Sequence, residues 1–219
     1  MAETHPRGAA ARGSGPERVS AASALRGGPL DRGAYAHLLG WYLGDGHIAL
    51  ARGIPRLLAI FNDAKYPDLS DEVEAAIRAV KPGASVWRRL RHGCFAISAS
   101  WHHWPCLFPQ HGEGRKHERE IVLAPWQQEI VDEHPGLLLR GLFHSDGCRV
   151  QNWATSASGK RYEGYPRYLF SNASEDIIGI CCSALDRLGI RWTRPRRDMV
   201  SVARRDAVAL LDEHVGPKS

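Results

Sequence analysis

The sequence predicts an α+β fold built by duplicating one unit. Three observations carry this. The order helix–strand–strand–helix–strand–strand occurs twice along the chain. Each copy opens with a strongly apolar helix that has a glycine in its middle and Asp-Gly at its end. The segments after each such helix are short, rich in β-branched and aromatic residues, and separated by turn residues, as antiparallel strands are.

Composition narrows the class. The chain has 219 residues, 43% of them hydrophobic, with 29 Lys and Arg against 24 Asp and Glu, for a net charge of +5. That is globular rather than disordered or fibrous composition, with a basic excess that permits nucleic-acid binding. No apolar run approaches the ~20 residues of a membrane span, and the N-terminus has no apolar signal core, so neither a membrane nor a secreted protein is expected. The five cysteines are odd in number, two are adjacent, and none forms a CxxC pair. No disulfide framework is expected, and the cytoplasm is the default compartment.

Residues 1–32, rich in Ala, Gly, Arg and Pro, read as a disordered basic arm. From Tyr35 the stretch AYAHLLGWYLGDG reads as a helix apolar nearly all round, hence buried, stopped by its terminal glycines. HIALAR and PRLLAIFN read as a strand pair, and SDEVEAAIRAV as a helix with Ser70 as N-cap. SVWRRLR and CFAISAS are strands turning at His92-Gly93. A Trp/His-rich segment, a polar loop (GEGRKHERE) and a helix near PWQQEIVDEH form a bridge over 113–134 between a first half (33–112) and a second (135–219). There the order returns: the helix PGLLLRGLFHSDG, strands CRVQNWA and YPRYLFSN around the loop TSASGKRYEG, a helix capped by Ser174, strands IRWTRPR and MVSVARR, and the helix DAVALLDEHV. Asp45 aligns with Asp146, Phe61 with Phe170, Glu72 with Glu175 and Trp87 with Trp192, at offsets of 101, 109, 103 and 105.

An interior helix glycine costs roughly 0.5–1 kcal/mol relative to Ala. Two copies with that cost at Gly40 and Gly141, each followed four residues later by a small residue (Gly44 or Ser145), point to one compensation: the helices pack on each other. Their C-termini would then bring Asp45 and Asp146 together. Two carboxylates there oppose each other and two helix dipoles, a conflict that a hard divalent cation resolves.

These segments, Leu38–Gly46 and Leu139–Gly147, resemble the nine-residue motif of the LAGLIDADG homing endonucleases in their single-chain, two-motif form. Both keep the central glycine and the final Asp-Gly; both depart at the sixth position, with Leu43 and His144. The resemblance implies αββαββα halves, motif helices at the interface, and two saddle-shaped sheets along the DNA major groove. It implies a monomeric, Mg²⁺-dependent endonuclease, with Mn²⁺ able to substitute and no nucleotide cofactor. The metal would be held by Asp45, Asp146, Gly44 and Ser145, and the catalytic set would be Asp45, Asp146 and Lys116. No splicing half is expected, so the protein is read as free-standing and nucleoid-associated.

Expected DNA contacts are His47, Arg52, Arg56, Arg88, Arg89, Arg91, Arg149, Gln151, Lys160, Arg161, Arg167, Arg194 and Arg196, with strand register deciding which of them face the duplex. Arg204 and Arg205 are further candidates to neutralise charge at the site. His102, His103, Cys106 and His111 fit no common zinc spacing, so no zinc is expected. The alternatives are a catalytically silent DNA-binding regulator on the same scaffold, or an RNA maturase-like protein. Retention of both acids favours the nuclease.

Overall fold

The computed structural model describes residues 29–155, 158–159, 161–216 and 218. Residues 1–28 of the expected arm, and Lys160, lie outside them. The arm's last residues belong to the fold: Asp31 caps the first helix, its side chain accepting from Ala34 N at 2.8 Å.

The first half runs α1 (Arg32–Asp45), β1 (Gly46–Ala51), β2 (Ile54–Asp63), α2 (Pro67–Val80), β3 (Val86–Arg91), β4 (Cys94–Ser100) and the short α3 (Trp104–Leu107). A 3-10 turn (Lys116–Glu118) and α4 (Pro125–Glu133) bridge to the second half. That half runs α5 (Pro135–Asp146), β5 (Gly147–Thr155), β6 (Arg161–Ser171), α6 (Glu175–Arg187), β7 (Thr193–Arg196), β8 (Met199–Val202) and α7 (Arg205–Val215). Each half holds one antiparallel four-stranded sheet, in the orders β1-β2-β4-β3 and β5-β6-β8-β7. Among the described residues, no helix is long and apolar enough to cross a membrane.

The duplication is real in topology, and strand register corrects the residue matches. Gly46 pairs with Ile60 and Gly147 with Phe170, so Phe170 corresponds to Ile60, not Phe61. Trp87 lies opposite Ser98 and Thr193 opposite Ser201, which makes Thr193, not Trp192, the counterpart of Trp87. Aromatic identity had suggested both pairs, but pleat position is what packing conserves. Ser70 is no cap either. The helix starts a turn earlier at Pro67, because proline supplies a pre-set φ, and the buried Ser70 hydroxyl accepts from Asn62 Nδ2 at 3.0 Å. Glu72 therefore lies in the second turn of α2, while Glu175 opens α6. The expected loop 155–164 is shorter, since β5 runs on to Thr155 and β6 begins at Arg161.

The motif helices cross at their glycines. A Cβ on Gly40 would lie 2.3 Å from Leu138 O and 2.9 Å from Gly141 Cα. One on Gly141 would lie 2.3 Å from His37 O and 2.7 Å from Trp41 N. Both neighbours are backbone and cannot step aside. The contact buries Leu38, Leu39, Trp41, Leu43, Leu138, Leu139 and Leu142, which join the two halves in one core. The terminal glycines are used differently from a left-handed helix stop. Gly46 and Gly147 have extended backbones (φ −93° and −101°), and a Cβ on either would strike Tyr42 or Phe143 of its own helix.

Since Gly40 and Gly141 meet backbone on backbone, Gly40→Ala and Gly141→Ala should each lower stability by roughly 1–3 kcal/mol or more. The measurement is the denaturation midpoint. Wild-type midpoints would mean that the helices do not cross there.

Candidate acidic metal centre at the motif-helix ends

The helix crossing fixes the level at which both helices end, and both ends open into one cleft of about 490 Å³. Asp45, Asp146, Lys116 and Asn172 line it. The Asp146 carboxylate sits against α1: a Cβ on Gly44 would lie 3.0 Å from its Oδ2. Asn172, at the end of β6, donates from Nδ2 to the same oxygen at 2.7 Å. Burial raises the Asp45 pKa to about 6, with the Asp146 charge adding to the rise. Asp146 is also raised by burial, offset by the Asn172 hydrogen bond and two lysines.

Those lysines close the helix ends. The Lys116 ammonium donates to the α1 carbonyls of Tyr42, Leu43 (3.0 Å) and Gly44 (2.7 Å), so all three of its donors serve that terminus. Burial lowers its pKa to about 8 against the pull of both acids. Lys218 does the same for α5, donating to Ser145 O at 3.4 Å and Gly147 O at 3.1 Å. Burial lowers its pKa too, while Asp45 and Asp146 oppose the fall. Sequence reading missed Lys218, whose one signal was a lysine in a chain of few, three residues past the last helix. Gly44 and Ser145, expected to help hold the metal, have carbonyls that accept from these ammonium groups.

The donor set otherwise fits a hard cation: two carboxylates converge in a polar cleft, and burial with mutual repulsion works against their charged state.

Alternation along the strands sorts the expected basic contacts. Arg88 shares its face with buried Ile97 and points at α2, bonding Asp71 at 2.5 Å and Glu74 at 2.9 Å. Arg194, its counterpart, bonds Glu175 of α6 at 3.2 Å. Arg149 turns to α7 and grips Asp212 at 2.8 and 3.0 Å. The reading of Arg88, Arg149 and Arg194 as outward contacts is thereby corrected: each ties its sheet to a helix. Gln151 falls by alternation on the same helix-side face as Arg149, whereas Arg56 sits at the bulge where the β1–β2 register shifts.

On the opposite, open faces lie His47, Arg89, Arg91 and Arg167, with Arg52 in the β1–β2 turn at φ 54°. Arg196 contacts Met199 at the edge. Arg161 opens β6 opposite Thr155. Arg204 and Arg205 stand at the start of α7, where Arg204 pairs with Asp206 rather than with the acids.

A second polar cluster lies in the interface. Arg140 of α5 clasps Glu72 of α2 through two hydrogen bonds of 2.9 and 2.5 Å. His37 of α1 and His144 of α5 flank that carboxylate at 3.8 and 3.7 Å. Burial lowers both histidine pKa values to about 4, so both are neutral at pH 7.

No protein-family profile matches the sequence, and no curated protein matches it significantly. Solved structures do match. The homing endonuclease I-DmoI in complex with DNA and Ca is similar at a TM-score of 0.52 and 16% identity, over 86% of this chain and 94% of that one. I-WcaI bound to its DNA recognition sequence matches at 0.51 and 12%, over 87% and 84%. The N-terminal LAGLIDADG domain of DUF199/WhiA matches at 0.50 and 13%, over 86% and 83%. The chain has the LAGLIDADG fold.

The raised Asp45 pKa predicts a pH effect. Its folded value of about 6 exceeds the ordinary 3.8, so the folded state holds its proton more tightly. Stability from this group is full below pH ~4 and is lost as pH rises through 6. In chelator at pH 7.5, Asp45→Asn should be more stable than wild type by about 1–3 kcal/mol, with the difference fading at pH 4. Equal stabilities at both pH values would mean that the carboxylate is not strained.

Proposed function

We propose that this protein binds duplex DNA across its two open sheet faces and hydrolyses a phosphodiester bond at the Asp45–Asp146 pair with a divalent cation. One observation carries the reading. Two carboxylates 101 positions apart in sequence converge where two glycine-crossed helices end, with one ammonium group at each end. A protein with no use for the pair has no reason to bear its repulsion twice over. The likeness in fold to I-DmoI and I-WcaI, whose structures contain DNA, supports the substrate class.

Mg²⁺ or Mn²⁺ held by Asp45 and Asp146 would supply Lewis-acid stabilisation of charge on the scissile phosphate and the leaving oxygen. The chain's own groups do the rest. Asn172 fixes the orientation of Asp146 through Oδ2. Lys116 and Lys218 hold positive charge beside the acids, and with a pKa near 8 Lys116 remains mostly protonated at neutral pH. Arg52, Arg89, Arg91 and Arg167, on the open faces and the β1–β2 turn, are the phosphate-binding candidates, with His47 lining the same cleft as the acids.

A second reading keeps DNA binding and drops cleavage. The Gly44 and Ser145 carbonyls are already bonded to lysines, and the fold is equally like that of the WhiA domain.

Cleavage of a randomised duplex library under Mg²⁺ separates the two readings, with structured RNA as the control for a maturase-like role. On the nuclease reading, Asp45→Asn or Asp146→Asn abolishes double-strand cleavage while DNA affinity stays within about tenfold, or ~1.4 kcal/mol. Selective binding with no cleavage in Mg²⁺ or Mn²⁺ leaves the silent binder, and no duplex binding at all removes both.

Binding should also weaken with salt, with a slope of log K against log salt of roughly −4 to −8. Arg89→Ala and Arg91→Ala should each make the slope shallower by about 1, since each removes one phosphate contact. Arg88→Ala should leave the slope unchanged and lower the melting temperature, because its partners are Asp71 and Glu74. An equal slope change for Arg88 and Arg89 would show the strand faces to be assigned wrongly.

A further inference from the structure

We propose that His37, Glu72 and His144 form a binding site for a transition-metal cation of the Zn²⁺ class, distinct from the acid pair and set between the two halves. Their ligand atoms, two imidazole nitrogens and one carboxylate oxygen, all lie within 4.8 Å of one another. Glu72 Oε2 stands 3.8 Å from His37 Nε2 and 3.7 Å from His144 Nδ1. A tetrahedral Zn²⁺ with ligands at ~2.0–2.1 Å needs edges of about 3.3 Å, so the two Glu72–histidine edges must each close by about half an ångström, and the His37–His144 edge, which lies within 4.8 Å, by up to about 1.5 Å. Two imidazoles with a carboxylate and an open fourth position select a borderline metal over Mg²⁺.

A second observation also points to a missing partner. The His144 side chain is 1% exposed, and both its ring nitrogens are buried with no hydrogen bond among the described residues. Buried polar groups are rarely left so. The duplication sharpens the point. Where α5 carries Arg140 and His144, the aligned positions of α1 carry Leu39 and Leu43, which serve the same packing without any polar atom. Glu72 answers Arg140 with two hydrogen bonds, and among the described residues none hydrogen-bonds His144, which Glu72 approaches only to 3.7 Å.

The remaining contacts permit an ion. Trp41 Nε1 donates to His37 Nε2 at 3.1 Å, which sets the tautomer with a lone pair on Nε2; the ion would take the place of that N–H. Arg140 also donates to Val215 O at 2.7 Å, so it remains anchored while Glu72 Oε2 turns its second lone pair to the metal. A surface groove lined by Ala34, Ala76, Leu137, His37 and Glu72 reaches two of the three ligands, and gives entry for the ion and a fourth, water ligand, with His144 buried behind them. The bound ion would pin α1 and α2 of the first half to α5 of the second.

The test uses the full chain, stripped of metal and held in excess Mg²⁺ to saturate oxygen-only sites. Zn²⁺ at about a hundred times its Kd should raise the melting temperature by roughly 5–10 °C. Co²⁺ should bind one equivalent with the intense visible bands of a four-coordinate site bearing imidazole. His144→Leu and Glu72→Gln should abolish both effects, while Asp45→Asn and Asp146→Asn retain them. The proposal is overturned if wild type binds no Co²⁺, or binds it only in a six-coordinate all-oxygen form. It is equally overturned if the aspartate variants lose the response while His144→Leu keeps it. Should a variant not fold, the wild-type Co²⁺ spectrum decides.

Discussion

The backbone contact between Gly40 and Gly141 is the constraint on which the rest of the structure depends. It brings α1 and α5 backbone against backbone, and it sets the level at which both end. From that follow the convergence of Asp45 and Asp146, the shared cleft, and the continuous core linking the sheets. The conformational cost of two interior glycines is thus offset by an interface that no larger residue permits.

That closeness has an electrostatic cost. Two acids, each at the negative end of a helix, are gathered in a half-buried cleft, and the raised Asp45 pKa records the strain. Lys116 and Lys218 relieve part of it by bonding to the terminal carbonyls rather than to the acids themselves. The carboxylates are left with lone pairs free for another ligand. An ion pair made directly by each lysine would have given a quieter site with less to offer a metal.

The halves share topology but not chemistry. Glu72, Arg140, His37 and His144 interrupt the apolar interface on one side of the pseudo-two-fold axis only. On the sheets, arginines divide by strand parity into those that fasten a sheet to its helices and those on the open face. Arg88 and Arg89 are neighbours in sequence with opposite duties for that reason alone. A net basic charge therefore overstates the binding surface, since several of the guanidinium groups are spent internally.

Local rules were enough to determine much of this protein from its sequence. Helix periodicity, turn residues and the repeated Gly…Asp-Gly pattern determined the element order, the duplication and the acids as a pair, because each is written within a dozen residues. Only the tertiary structure decided what depends on distant partners. Strand register put Arg88, Arg149 and Arg194 against helices, since a one-residue step moves a side chain to the other face. It brought Lys218 to the end of α5, 73 residues from Ser145, a closure with no local signature. It also placed Glu72 between His37 and His144, three residues whose spacing matches no ligand motif, because the helix crossing and not the chain holds them together.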